Sequence, residues 1–134
     1  KRPSYLIEDA VAGVPRLIRN GKVDIPWEQE KSSKSFVETR HPRTAVAKLR
    51  DGKFLMIVVD GRSESSGGIG LANLANYLLE LGATDAMNLD GGGSTVLAIR
   101  DPKSGAMRIL NKPSDGRERP VANVLGVTVT PKKK

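Results

Sequence analysis

An α+β fold, built on a mixed and largely antiparallel sheet with one packed helix over residues 71–81, is predicted by three features of the sequence. Apolar runs flank Asn20-Gly21, further apolar runs flank Asp51-Gly52, and the stretch LANLANYLLELG carries leucine and alanine at helical spacing. Asn-Gly readily takes the positive φ values of a two-residue hairpin turn, so VPRLIRNGKVDI reads as a first hairpin. The polar stretch EQEKSSKS, Glu28 to Ser35, has no periodicity and reads as a mobile loop or lid. RTAVAKLR and KFLMIVVDGR form the second hairpin. Within it FLMIVV is apolar at every position, which predicts a central strand covered on both faces. Leu71, Leu74, Ala75, Leu78 and Leu81 then define the helix, and Gly82 stops it. DAMNLD and TVLAIR follow as strands around a glycine run, then AMRIL, the polar loop NKPSDGRERP and a last strand, VANVLGVTV.

A chain of 134 residues with 38% hydrophobic content supports one compact core, so residues 1–134 read as a single domain. Aromatic residues make up 4%, which leaves an aliphatic core and little surface for base stacking. The net charge is +7, but Lys1, Arg2, Lys132, Lys133 and Lys134 carry five of those charges at the ends, leaving +2 for the body. A nucleic-acid partner is therefore not expected. With no cysteine and His41 as the only histidine, thiolate chemistry and His- or Cys-ligated zinc are excluded. No apolar run is long enough to cross a membrane, and the opening KRPSYLIEDA lacks the apolar stretch of a signal peptide.

Two apolar strands end alike, in Asp60-Gly61-Arg62 and in Asp90-Gly91-Gly92-Gly93-Ser94. Three consecutive glycines forfeit on the order of a few kcal/mol in conformational entropy, so bare backbone must be needed there. Successive N–H groups can form a concavity for an anion, which Arg43 and Arg62 would clamp with their planar guanidinium groups. Asn88 and Asp90 stand two apart on a strand and so would share a face. The loop from Asn111 to Pro120 adds Ser114, Asp115 and Arg119 and would close over the site. Walker A and Rossmann patterns do not fit, because no Lys follows the glycines and Asn73 stands where a third glycine belongs. Ser94 lacks the nucleophile elbow of a serine hydrolase. A Ca²⁺ or Mg²⁺ held by Asp60, Asp90 and Asp115 would need only oxygen ligands. His41 and Trp27 are secondary candidates, as a catalytic imidazole and a sugar platform.

In that order, HPRTAVA, VVDGRS, LGATDAMNLDGGGST and NKPSDGRERPVANVLGV resemble the phosphodiester glycosidase family. The family includes an enzyme that removes N-acetylglucosamine from phosphodiester-linked tags, and bacterial relatives linked to exopolysaccharide. The resemblance implies a hydrolase that cleaves a sugar-1-phosphodiester, with Asp60, Asp90 and Asp115 as catalytic carboxylates. It implies that Arg43, Thr44, Arg62, Asn88, Gly91, Gly92, Gly93, Ser94, Asn111, Ser114 and Arg119 line the substrate site. A sugar-phosphate or polysaccharide substrate and an extracytoplasmic location follow from the same source. The family carries Gly where Ala47 stands, Thr where Gly70 opens the helix and a further Ser after Ser94. Its domain also begins earlier, so this chain reads as the C-terminal part of a domain whose remainder is missing or lies on a second polypeptide. The alternative is a non-catalytic module that binds carbohydrate or an envelope polymer.

Overall fold

A computed structural model of the chain describes residues 9–128; the charged ends and most of the opening KRPSYLIEDA lie outside them. The first hairpin joins β1 (Arg16–Arg19) to β2 (Lys22–Val23) in the register Arg19↔Lys22. Its two turn residues have φ of +51° at Asn20 and +72° at Gly21, the left-handed pair that matches strand twist. The second hairpin joins β3 (Arg43–Leu49) to β4 (Phe54–Val59). β5 (Ala83–Asn88) pairs antiparallel with both β1 and β3, which gives a five-stranded antiparallel sheet in the order β2-β1-β5-β3-β4. The α+β expectation is met.

Three elements depart from the sequence reading. β4 lies at the edge rather than the centre of the sheet, with Phe54 59% exposed. A run apolar at every position records that both faces want cover, and says nothing of which neighbour provides it. The stretch expected as a mobile loop instead enters a short helix, α1 (Lys34–Glu38), whose start is capped by Ser33 Oγ accepting from Phe36 N–H at 3.1 Å. Five residues are too few for periodicity to be read. Finally, 121–128 form no strand, and Val124 and Val127 stand 83% and 68% exposed. The rest of that expected strand lies outside the described residues.

The main helix α2 (Leu71–Glu80) buries Leu71, Leu74, Ala75 and Leu78, one stripe of a 3.6-residue period, against one face of the sheet. Leu81 is its cap, 43% exposed, and Gly82 follows with φ +91°. Leu17, Ala45, Ala47 and Ala86 meet the helix from the sheet. The small alanines let α2 approach the strands closely. On the opposite face, Val14, Val46, Phe54 and Met87 line an open groove of about 710 Å³. A separate two-stranded ribbon, β6 (Ala98–Arg100) and β7 (Met107–Ile109), leads into the polar loop.

Candidate active site

Because β3 runs antiparallel to both β4 and β5, its beginning and their two ends meet at one rim of the sheet. The registers Arg43↔Val59 and Ala45↔Asn88 place Asp60-Gly61-Arg62 on one side of His41-Pro42-Arg43 and the glycine run on the other. Leu89 N–H donates to Thr44 O at 2.8 Å and Gly92 N–H to Pro42 O at 2.9 Å. The two Asp-Gly motifs therefore lie at the same rim of the sheet.

Each of the three glycines makes room for a different neighbour. A β-carbon at Gly91 would stand 2.8 Å from Pro42 O, inside contact distance. Gly92 has φ +60° and lies under the Arg62 guanidinium, 3.4 Å from Nη1 to where a β-carbon would be. At Gly93 the same position is taken by the ends of Asp115 and Arg119. The sequence pattern predicts a nest of successive amides, and the structure is more economical. Gly92 N–H is spent on Pro42, and Ser94 and Thr95 N–H close a 3-10 turn onto Gly91 and Gly92 carbonyls. Among the described residues, the amides of Gly91 and Gly93 are left without a protein acceptor.

The three aspartates are not equivalent. Asp60 Oδ1 accepts from Asn111 Nδ2 at 2.9 Å, and both of its oxygens accept from Lys112 N–H at 3.1 Å. Asn111 also donates to Thr95 O and accepts from Leu97 N–H, so it clips the polar loop to the exit of the glycine turn. Asp115 Oδ2 takes Arg119 Nε at 3.0 Å and Nη2 at 2.7 Å. Asp90 is exposed and, among the described residues, has no hydrogen-bond partner. β5 ends at Asn88, so strand alternation does not carry on to Asp90, and the two differ in burial. Asn88 is 1% exposed and turns its Nδ2 to Val14 O at 2.8 Å and Leu89 O at 3.0 Å; its Oδ1 is buried without a partner. Ser114 Oγ is likewise buried and unpartnered.

The arginines divide in the same way. Arg43 is 1% exposed, and its guanidinium donates to the carbonyls of Ile69 at 3.2 Å, Phe36 at 2.6 Å and Thr39 at 2.9 Å. Arg62 is exposed, has φ +57° at a non-glycine residue, and brings Nη2 to 3.3 Å from His41 Nδ1. Strain of that kind, worth about 1–3 kcal/mol, collects at functional sites. Among the described residues neither arginine pairs with a carboxylate. Burial, with the charge of Arg62 beside it, lowers the Arg43 pKa to about 10. Burial and then the charges of Arg43 and Arg62 lower that of His41 below its usual value. At this rim Arg43 and Arg62 therefore stand without an ion-pair partner among the described residues, beside the carboxylates of Asp60 and Asp90.

A family model described as phosphodiester glycosidase matches residues 1–128. The chain belongs to the phosphodiester glycosidase family. The bovine N-acetylglucosamine-1-phosphodiester alpha-N-acetylglucosaminidase is 37% identical over 98 residues, covering 66% of this chain and 18% of that protein. The SPbeta prophage-derived protein YomE of Bacillus subtilis is 36% identical over 92 residues, 69% of this chain and 13% of its own. Among solved structures, the catalytic domain of the zebrafish N-acetylglucosamine-1-phosphodiester alpha-N-acetylglucosaminidase, auto-inhibited by its pro-peptide, superposes with a TM-score of 0.63. It is 28% identical, over 78% of this chain and 34% of that one. A hypothetical protein from Synechocystis gives 0.62 at 32% identity, over 77% and 18%. The chain therefore spans between 13% and 34% of each of these relatives.

The sequence reading offers Asp60, Asp90 and Asp115 as oxygen ligands for a Ca²⁺ or Mg²⁺. Among the described residues no three carboxylate or imidazole side chains gather as ligands, and both oxygens of Asp60 are already occupied by donors. Thr44 Oγ1 donates to Thr95 Oγ1 at 3.3 Å, which ties β3 to the turn; Thr95 is a buried member of the rim that the glycine pattern overshadowed. Trp27 is half-buried, packs against the hydrophobic core and lines a small cleft with Ile25, Pro26, Glu28 and Gln29. Gly93→Ala is expected to leave folding within about 1 kcal/mol, because the atoms it displaces are the far ends of two flexible side chains. It should nonetheless expel Arg119 from the turn. Thermal unfolding together with phosphate binding checks the split: a large stability loss would place the Asp115–Arg119 pair in the fold instead.

Proposed function

We propose that the chain forms the phosphate-gripping part of a hydrolase that breaks the bond between a sugar's anomeric carbon and a phosphodiester oxygen. The observation that carries the reading is the Arg62 guanidinium laid over the bare Gly92 backbone, without a carboxylate partner among the described residues, at the rim that bears Asp90. An anion fits that charge, and the amides of Gly91 and Gly93 are free to add to it. The departing phosphate is already a good leaving group, so the grip on its charge substitutes for much of the work of a general acid. Asp90 either attacks the anomeric carbon or activates the water that does. Asp60 holds the Asn111–Lys112 segment in place, and Arg43 holds the rim itself.

Asp115 and Arg119 stand over Gly93 as an exchangeable pair: substrate phosphate takes the place of the Asp115 carboxylate on Arg119, which frees Asp115 beside the reacting centre. Thr44, Ser94, Asn111 and Ser114 complete the lining. The uncovered edge of β4, the groove on the far sheet face and the short span relative to family members support a second stretch of polypeptide that completes the domain. An extracytoplasmic location and a polysaccharide or sugar-phosphate substrate are part of the same reading. Among the described residues no helix is long and apolar enough to cross a membrane.

The test is a p-nitrophenyl sugar-1-phosphodiester given to the chain together with any polypeptide that co-purifies with it. Release of free sugar and p-nitrophenyl phosphate, made visible by added phosphatase, is the expected result. Direct release of p-nitrophenol would mean cleavage at phosphorus and would overturn the assignment. Saturable binding with no release would make the chain a binding module.

A further inference from the structure

His41 has no part in the reading above, and its surroundings hold it in a defined place. Its backbone is locked to Ile69 in both directions, N–H to carbonyl at 3.4 Å and carbonyl from N–H at 3.0 Å. Gly68, with φ +86°, presses against the same backbone so closely that a β-carbon there would lie 2.5 Å from the His41 carbonyl. Gly61 leaves the corresponding space beside Pro42. The imidazole therefore projects from a rigid peptide. Its Nδ1 lies 3.3 Å from Arg62 Nη2. A guanidinium can only donate, so Nδ1 is the acceptor and the proton of the neutral ring resides on Nε2.

Arg62 has few other restraints. It is exposed, has no carboxylate partner among the described residues and carries a side chain rich in rotamers. Without the imidazole, nothing among its side-chain hydrogen bonds would keep the guanidinium over Gly92. We propose that His41 is a positioning residue for this site: Nδ1 accepts from Arg62 and holds its guanidinium over the Gly92 turn, where it meets the phosphate of the sugar phosphodiester. The ligand class rests on the function proposed above; the coupling between His41 and Arg62 does not.

The arrangement requires the imidazole to be neutral, because a protonated ring has no acceptor left for Arg62. The charged residues of the segments around the His41–Ile69 bridge are Glu38, Arg40 and Arg43 on one side, Asp60, Arg62 and Glu64 on the other, and Asp90 in the glycine turn that packs against Pro42. Burial and the two nearest cations, Arg43 and Arg62, hold the ring below its usual pKa. A phosphate bound against Arg62 would offset one of those cations and move the ring back up.

The chain has a single histidine, so its C2–H proton resonance titrates alone and without assignment. Dimethyl phosphate, a monoanion throughout the range, is the probe. The expected result is a His41 midpoint below 6.5 that rises in Arg62→Gln and rises on adding dimethyl phosphate to the unsubstituted chain. In Arg62→Gln the added dimethyl phosphate should produce no further rise. A midpoint indifferent to Arg62→Gln overturns the coupling whatever the enzyme does. In kinetics, His41→Asn places an amide oxygen near Nδ1 and should keep kcat/KM within about threefold, while His41→Gln and His41→Phe should lose tenfold or somewhat more, about the effect of a hydrogen bond to a charged group. Adding either change to Arg62→Gln should cost nothing further, because the two act as a unit. Equal losses in all three His41 variants would overturn positioning through Nδ1. A chain that shows the resonance coupling and binds dimethyl phosphate without turnover would contradict the proposed hydrolase and leave the role of His41 standing.

Discussion

Arg43→Met is expected to cost about 3–5 kcal/mol of folding stability, since hydrogen bonds from a charged group contribute roughly 1.5–3 kcal/mol each and do not add in full. The reason lies in what the guanidinium binds. Phe36 O and Thr39 O are carbonyls at the end of α1, the groups that a helix leaves without partners, and Arg43 supplies donors to both at 2.6 and 2.9 Å. Ile69 O, on the approach to α2, takes a third donor at 3.2 Å. The Phe36 ring lies beneath, with the guanidinium carbon 4.6 Å from its centroid. One side chain thus ties α1, the bridge before α2 and the first residue of β3. Methionine fills much of the volume but leaves the Phe36 and Thr39 carbonyls without this donor, and Ile69 O with only the longer bond from His41 N–H at 3.4 Å. Arg43→Lys keeps the charge but cannot span three acceptors with a compact ammonium, so an intermediate loss of about 2 kcal/mol is expected. Urea denaturation measures both. If Arg43→Met instead left stability unchanged and abolished binding of dimethyl phosphate, Arg43 would be a ligand of the substrate and the structural account would fail.

That division of labour could not be read from the chain. Arg43 and Arg62 have the same chemistry, and Asp60 and Asp90 both end apolar strands before a glycine. Their fates are decided by residues far away: Asp60 is occupied by Asn111 and Lys112, 51 and 52 positions on. Asp90 meets no such partner among the described residues. Local signals were legible. Asn20-Gly21 forms its left-handed turn because the two residue types tolerate positive φ, and α2 buries the stripe that its period defines. β4 was legible as a strand but not as an edge, since its apolar run reflects a demand for cover and not the identity of the cover. α1 was hidden because five residues offer no period, and its purpose is to present carbonyls to an arginine four residues beyond its cap. The glycine run was legible as a place of close approach. Its three neighbours, Pro42, Arg62 and the Asp115–Arg119 pair, emerge only when three strand ends share a rim.

Asp90→Asn is expected to lower kcat on a sugar-1-phosphodiester by roughly a thousandfold or more, while changing stability by no more than about 0.5 kcal/mol. The stability half follows from exposure and from the absence of any hydrogen-bond partner among the described residues, so the carboxylate holds nothing in place. The activity half follows from elimination among the carboxylates. Asp60 is engaged by Asn111 and Lys112, which draws on its charge and fixes its orientation, Asp115 is paired with Arg119, and Asp90 alone of the three is unengaged among the described residues. Asp60→Asn should behave differently: it keeps an acceptor oxygen for Lys112 but places an amide against Asn111, loosening the polar loop. A loss of about 1–2 kcal/mol in stability, with KM raised along with any fall in kcat, is expected there. The contrast is what discriminates. A nucleophile and a positioning group both reduce turnover, but only the nucleophile does so without touching stability. Adding azide to Asp90→Gly, where the missing side chain leaves room for a small anion, carries the argument one step further. Azide should restore turnover and yield a glycosyl azide of inverted configuration by either route, and the sugar released by the unsubstituted chain separates the two: retained configuration if Asp90 attacks the anomeric carbon, inverted if it activates water. Full turnover by Asp90→Asn would remove this residue from the chemistry and shift the role to Asp115, released from Arg119.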